Sequence, residues 1–99
     1  MVFKIYEYSS YDAFARDFDL KSQIRRAAIS TMNNIAEGFG RFSEKEFIRF
    51  LEISSASAAE VKSMIYVIED LKYLNIEKIT ELHQLTDDTK HLTLGLIKY

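Results

Sequence analysis

His83, Asp87 and His91 stand four residues apart, a spacing that brings three side chains onto one face of a helix. Imidazole and carboxylate at that spacing suit a divalent cation. The trio lies on the face opposite a run of leucines, however, and the chain contains no Glu-x-x-His pair of the kind that loads bundle cores with metal. We read the three as solvated surface and expect no metal and no cofactor. Ser30, Ser54, Ser55 and Ser57 are candidate nucleophiles by type, but they sit among alanines with no neighbouring general base or oxyanion hole. Gly38-Phe39-Gly40 lacks the Gly-Lys-Ser/Thr ending of a phosphate loop, and no strand precedes it. No catalytic residues emerge, and the expectation is a protein that is not an enzyme.

The remaining chemistry is cationic. Residues 21 to 49 hold six basic side chains (Lys21, Arg25, Arg26, Arg41, Lys45 and Arg49) against three acids, whereas residues 51 to 99 carry five lysines against eight acids. Guanidinium groups match phosphate oxygens, so this segment is a candidate RNA contact. The same groups can instead pair with Glu37, Glu46 and Glu60, within the chain or between subunits. The residues alone favour pairing, with Glu60 as the best partner because it borders an apolar stripe where a lone carboxylate is costly.

Four helical segments must position these groups. The first covers about Val2 to Ser10 and either extends to Arg16 or gives way to a connector with Phe14 and Phe18 packed beneath it. The second, Leu20 to Glu37, starts at the N-cap Asp19. Leu20, Ile24, Ala27, Ala28, Thr31 and Ile35 form its stripe, and Ile29, Met32 and Ala36 form a second apolar flank. With Phe39 and Phe42 in the following turn, that flank is a candidate oligomer interface. Gln23 and Asn34, on the stripe's edge, are expected to bond a neighbouring helix or the turn.

Gly38 is expected to end the second helix in the left-handed conformation, with Gly40 tightening the connector. Ser43 and Glu46 then form a capping box for the third helix, Glu44 to about Leu74. Its centre, SSASAA, should meet Ala27, Ala28 and Ser30 of the second helix at close range. Asn75 caps the fourth, Ile76 to about Lys98. There Leu82, Leu85, Thr89, Leu92, Leu96 and Tyr99 step by threes and fours. Short connectors between helices mean antiparallel neighbours, so the predicted fold is all-α, an up-and-down four-helix bundle with a short first helix.

The totals agree with one domain spanning residues 1–99. Of these, 47% are hydrophobic and 28% charged, with a net charge of −2 and neither proline nor cysteine. Missing prolines let long helices run unbroken, and missing cysteines remove disulfide and thiolate chemistry. No apolar run reaches the roughly 20 residues of a membrane span. No membrane role and a cytoplasmic address are expected.

Larger blocks then carry a resemblance. QIRRAA at Gln23–Ala28, NIAEGFGR at Asn34–Arg41, Ser43-x-Lys45-Glu46-Phe47 and the small-residue run ending at Glu60 follow one another as in the bacterial 23S rRNA intervening sequence proteins, also called S23. The resemblance implies a four-helix bundle assembled as a homopentamer, without enzymatic activity. A related branch, the accessory subunit of diversity-generating retroelements, implies a partner that is structured RNA or an RNA-bound protein. Arg25, Arg26 and Arg41 are the basic positions within the shared blocks. The function expected is therefore a homo-oligomeric scaffold contacting RNA, with a protein adaptor ring lacking any nucleic-acid role as the alternative.

Overall fold

The computed structural model describes residues 1–98. Five helices follow in chain order: α1 (Val2–Tyr8), α2 (Asp12–Arg16), α3 (Phe18–Phe39), α4 (Glu44–Asp70) and α5 (Ile76–Lys98). The long helices pack α3 on α4 and α4 on α5, while α1 and α2 lie against α3. The result is a helical bundle about 44 Å long whose first member is short. None of its helices is long and apolar enough to cross a membrane. The predicted architecture is present; the ambiguous first segment resolves into two helices, the second opening on Asp12 at a positive φ of 47°. Phe14 is buried and stacks on Tyr73, with ring centroids 5.6 Å apart. Phe18, expected beneath the connector, is exposed.

Each long helix begins on a side-chain cap, which satisfies an amide that has no partner within the helix. At α3 the cap is Asp17 rather than Asp19: its carboxylate accepts from the Leu20 amide at 3.2 Å and from the Tyr73 hydroxyl at 2.9 Å. Asp19 falls within the first turn, where its charge opposes the positive end of the helix dipole. Ser43 accepts from the Glu46 amide at 3.4 Å and Asn75 from the Lys78 amide at 2.9 Å, as expected. The Glu46 carboxylate, which would complete the capping box, is turned to Arg49 instead. The end of α4 comes earlier than Leu74. Lys72 adopts φ 59°, with the Tyr73 amide on the Ile68 carbonyl and the Lys72 amide on that of Glu69. This is the closing pattern that normally carries glycine.

The two glycines of the α3–α4 turn serve a purpose other than the one predicted. Neither has positive φ. Gly38 is buried inside α3, where a Cβ would stand 3.4 Å from the Phe47 ring, 3.4 Å from the Phe47 carbonyl oxygen and 3.5 Å from the Phe50 Cβ. A Cβ would sit in ordinary contact with α4, so it is a longer side chain for which the packing leaves no room. Gly40 caps the helix in a right-handed conformation, φ −84°. The small-residue patches meet as expected, with Ser30 Oγ and Ser57 Oγ 2.9 Å apart and Ser54 Oγ donating to the Thr31 carbonyl at 2.7 Å.

On α5 the buried stripe is Ile79, Leu82, Thr86 and Thr93, rotated by about one position from the predicted leucine run. Leu92 is 59% exposed, and Tyr99 lies outside the described residues. Threonine succeeds in the core because its hydroxyl turns back onto its own helix. Thr86 donates to the Leu82 carbonyl at 2.7 Å and Thr93 to that of Thr89 at 2.9 Å. Each then packs as a small apolar group with its polar atom satisfied.

Candidate interaction surface

The six basic residues singled out in the sequence do not form one patch. Arg25 is architectural: its Nε donates to Ser9 Oγ at 2.8 Å, its Nη2 reaches the Tyr6 carbonyl, and its guanidinium lies 4.4 Å from the Tyr6 ring centroid. It rivets α1 to α3. Lys21 Nζ donates to the Ala15 carbonyl at 3.0 Å, holding α2 in the same way. Arg41 pairs with Glu37 at 2.8 Å, and Arg49 with Glu46 at 3.4 Å. Both guanidinium groups also lie against the Phe50 ring, at 4.8 and 4.9 Å. These two are solvent-exposed pairs, which contribute little to stability and hold their cations loosely. Arg26 and Lys45 are exposed and have no ion-pair partner among the described residues.

Glu60 is not the buried partner its neighbours suggested. It shares a shallow groove between α3 and α4 with Arg26 and Gln23, but it is exposed, so water stabilises its charge without an ion pair. Asn34 also behaves differently from expectation: its Nδ2 donates to the Ser30 carbonyl at 2.8 Å on its own helix. Ser30 and Ser57, which are shorter, make the bond between helices.

A different polar cluster went unrecognised. Lys62 on α4 donates to Asp87 on α5 at 2.7 Å, and one turn away the His83 ring rests 4.6 Å from the Tyr66 ring. His83 is therefore not the solvated residue expected. Both its ring nitrogens are buried and have no partner among the described residues. Burial, and then the nearby Lys62 ammonium, hold its pKa below the ordinary histidine value. The hydrogen bond from Lys62 lowers that of Asp87. The available signal was Ile79: a stripe begun there places His83 four residues on, beside the core. No group of three or more possible ligands capable of holding a metal occurs among the described residues.

What remains is apolar and exposed. Phe42 protrudes fully from the α3–α4 turn, and Phe39 is 64% exposed beside it. Ile29 and Met32 continue this surface along α3, and Ala36, between Met32 and Phe39, is exposed as well. Val67 and Leu71, one turn apart, form a second exposed apolar spot near the end of α4, while Ile53 is exposed by itself about 21 Å earlier on that helix. Such surface suits adhesion to another macromolecule rather than chemistry on a small one.

Comparison with known proteins agrees with the fold. A family model described as 23S rRNA-intervening sequence protein matches residues 1–95. A solved structure, that of a protein with unknown function from the S23 ribosomal protein family of Bacteroides thetaiotaomicron, is similar with a TM-score of 0.88. It is 21% identical, and the match covers 99% of this chain and 89% of that one. No curated protein matches the chain.

Proposed function

We propose a scaffold function for this chain, which belongs to the family of 23S rRNA-intervening sequence proteins. The scaffold is non-enzymatic and assembles from copies of the chain. The observation that carries this reading is the pair of separate exposed apolar patches, one around Ile29, Ala36 and Phe42 and the other around Val67 and Leu71. A closed ring of more than two subunits needs two different patches on each subunit, since the front of one meets the back of the next. A two-fold dimer needs only one patch that is its own complement. Five copies in a cytoplasmic ring is the assembly we favour.

Light scattering on the purified chain tests the assembly. The expected mass is a multiple of the monomer, falling to the monomer in a Phe42→Ser, Val67→Gln double variant. A wild-type monomer at tens of micromolar would remove the ring.

A second reading, RNA contact, rests on Arg26 and Lys45, exposed and without ion-pair partners among the described residues, and on the loosely held Arg41 and Arg49. A ring would repeat these weak sites and gain avidity. Binding to a structured RNA should then weaken steeply with salt, and Arg26→Ala with Arg41→Ala should flatten that dependence. A response to salt that the two substitutions leave unchanged eliminates these residues.

A further inference from the structure

The outer face of α4 carries a pattern that the core does not explain. The buried stripe of this helix runs through Leu51, Ala58, Val61, Ile65 and Ile68. Opposite it, a second row starts at Lys45 and steps by four and three in turn to Asp70, and every residue in that row is exposed. The row is its own complement when a copy is laid against it in the opposite direction. Lys45 at one end then meets Asp70 at the other, Arg49 meets Tyr66, Glu52 meets Ser63, and Ala56 meets Ala59 at the centre. A parallel copy would set Lys45 on Lys45 and Asp70 on Asp70. Neither end charge serves its own helix. Lys45 lies in the first turn of α4, at the positive end of the dipole, and Asp70 is its last residue, at the negative end. Neither has an ion-pair partner among the described residues, and Arg49 is held only by the exposed 3.4 Å pair with Glu46.

We propose that a second copy of the chain docks here, α4 against α4, antiparallel about a two-fold axis at the midpoint of the row. Charge complementarity selects the copy as occupant. An antiparallel α4 brings a reversed dipole, so Lys45 gains a carboxylate and a negative helix end, and Asp70 gains an ammonium and a positive one. Arg49 over the Tyr66 ring, which is 53% exposed, adds a cation–π contact. Ala56 and Ala59 are small enough to let the two axes approach closely, and the heptad steps suit a shallow crossing. The contact is isologous, so each pair is made twice. This inference goes beyond the scaffold reading. Val67 and Leu71, assigned there to the ring, lie roughly a quarter turn or more round the helix from the row, so the two-fold contact links one assembly to another. It takes Lys45 and Arg49 for the contact between copies and leaves Arg26 and Arg41 to RNA. One pair of helices about 38 Å long falls in the small, weak class of interface, under about 1,200 Å² in total, so isolated chains pair only at high concentration.

The test uses the full chain, which has no cysteine of its own, so introduced thiols report on register. Under a mild oxidant, Ala56→Cys mixed with Ala59→Cys should form a disulfide-linked dimer several-fold faster than either variant alone, because only the mixture brings thiols face to face. Equal rates, or faster linking of one variant with itself, overturn the proposal. Sedimentation at near-millimolar concentration then reads the charges. Lys45→Glu should weaken pairing about tenfold, as should Asp70→Lys, since symmetry places two like-charge contacts in each dimer. Mixing these two variants, or combining both changes in one chain, should restore pairing, and failure to do so overturns the proposal. Both reversals suit the dipole of α4, and circular dichroism checks that the helices persist. Sedimentation of the Phe42→Ser, Val67→Gln chain separates the contact from the ring. Dimers there that obey the charge swap keep the inference even where the wild type forms no ring; a wild-type ring without such dimers keeps the ring and overturns the inference.

Discussion

The two ends of this bundle are built to different specifications. Where α1 and α2 cover α3, the core is large and apolar: Ile5, Phe14, Ile24, Ile65, Ile68, Ile79 and Leu82 are all almost fully buried. Toward the α3–α4 turn Leu51 is still fully buried, but most buried positions around it are small or polar: Thr31, Gly38, Ser54, Ser57, Thr86 and Thr93. The first end maximises apolar burial, which scales with the area removed from water. The second gains close helix approach and hydrogen bonds, and it leaves its large apolar groups outside. Apolar burial is concentrated at the first end, and under the proposed function the exposed apolar groups of the second are the ones free for recognition, because a side chain cannot both fill its own core and present itself to a partner.

The sharpest way to break that division is to truncate a phenylalanine at each end. Phe14→Ala should cost about 3–5 kcal/mol in urea unfolding, the range for emptying a packed aromatic site. Phe42→Ala, fully exposed, should stay within about 0.5 kcal/mol. Comparable losses would mean that the exposed end bears as much of the fold as the covered one. Next in size is Gly38→Leu, expected to cost about 1–3 kcal/mol by overpacking against Phe47 and Phe50. A neutral result would show that the α3–α4 contact is looser than its 3.4 Å geometry.

Two smaller changes ask where backbone conformation limits stability. Lys72→Gly should raise stability by about 1 kcal/mol, since it relieves a left-handed lysine at the covered end. In contrast, Gly95→Ala should gain about 0.5–1 kcal/mol at the uncovered end, where a Cβ meets nothing within 4 Å and α5 gains a better helix former. Thermal melts that fail to rise for either variant would place the limiting strain elsewhere.

The most modest effect is one of pH. His83 has a folded pKa below its ordinary value of 6.5. Below pH 6.5 the unfolded chain therefore takes up a proton that the native chain refuses, and stability falls as pH falls. The contribution is intact above pH 6.5 and stops declining once the folded pKa is passed. His83→Phe should remove this slope, as urea midpoints across that range will register. At lower pH Asp87, whose pKa is also depressed, adds a second loss once its carboxylate gains a proton and the pair with Lys62 breaks. Lys62→Met should abolish that second loss.

Much of the fold was legible because helix signals are local. Asn75 and Ser43 cap where a short polar side chain can reach the first free amides, and the small patches on α3 and α4 announce a close approach. The misreadings share a cause: each depended on a residue's neighbour in space. Glycine often ends a helix, which points Gly38 to a turn, yet the fold brings Phe47 and Phe50 to contact distance of it and leaves little room beyond a methyl. Leucine outranks threonine in hydrophobicity, which points the α5 stripe to the leucines, and the bond from a threonine hydroxyl to its own helix leaves no trace in composition. His83 was assigned to solvent by the same rotation of that stripe.

The sequence by itself determined that this chain is helical, where two of its three long helices begin, and that it carries no evident catalytic constellation. Periodicity, caps and missing prolines act within a few residues of one another. Only the tertiary structure decided which cations are rivets and which are exposed, and which large apolar side chains stay outside the core. Charge pairing and burial depend on distances between segments, and those are set when the helices pack.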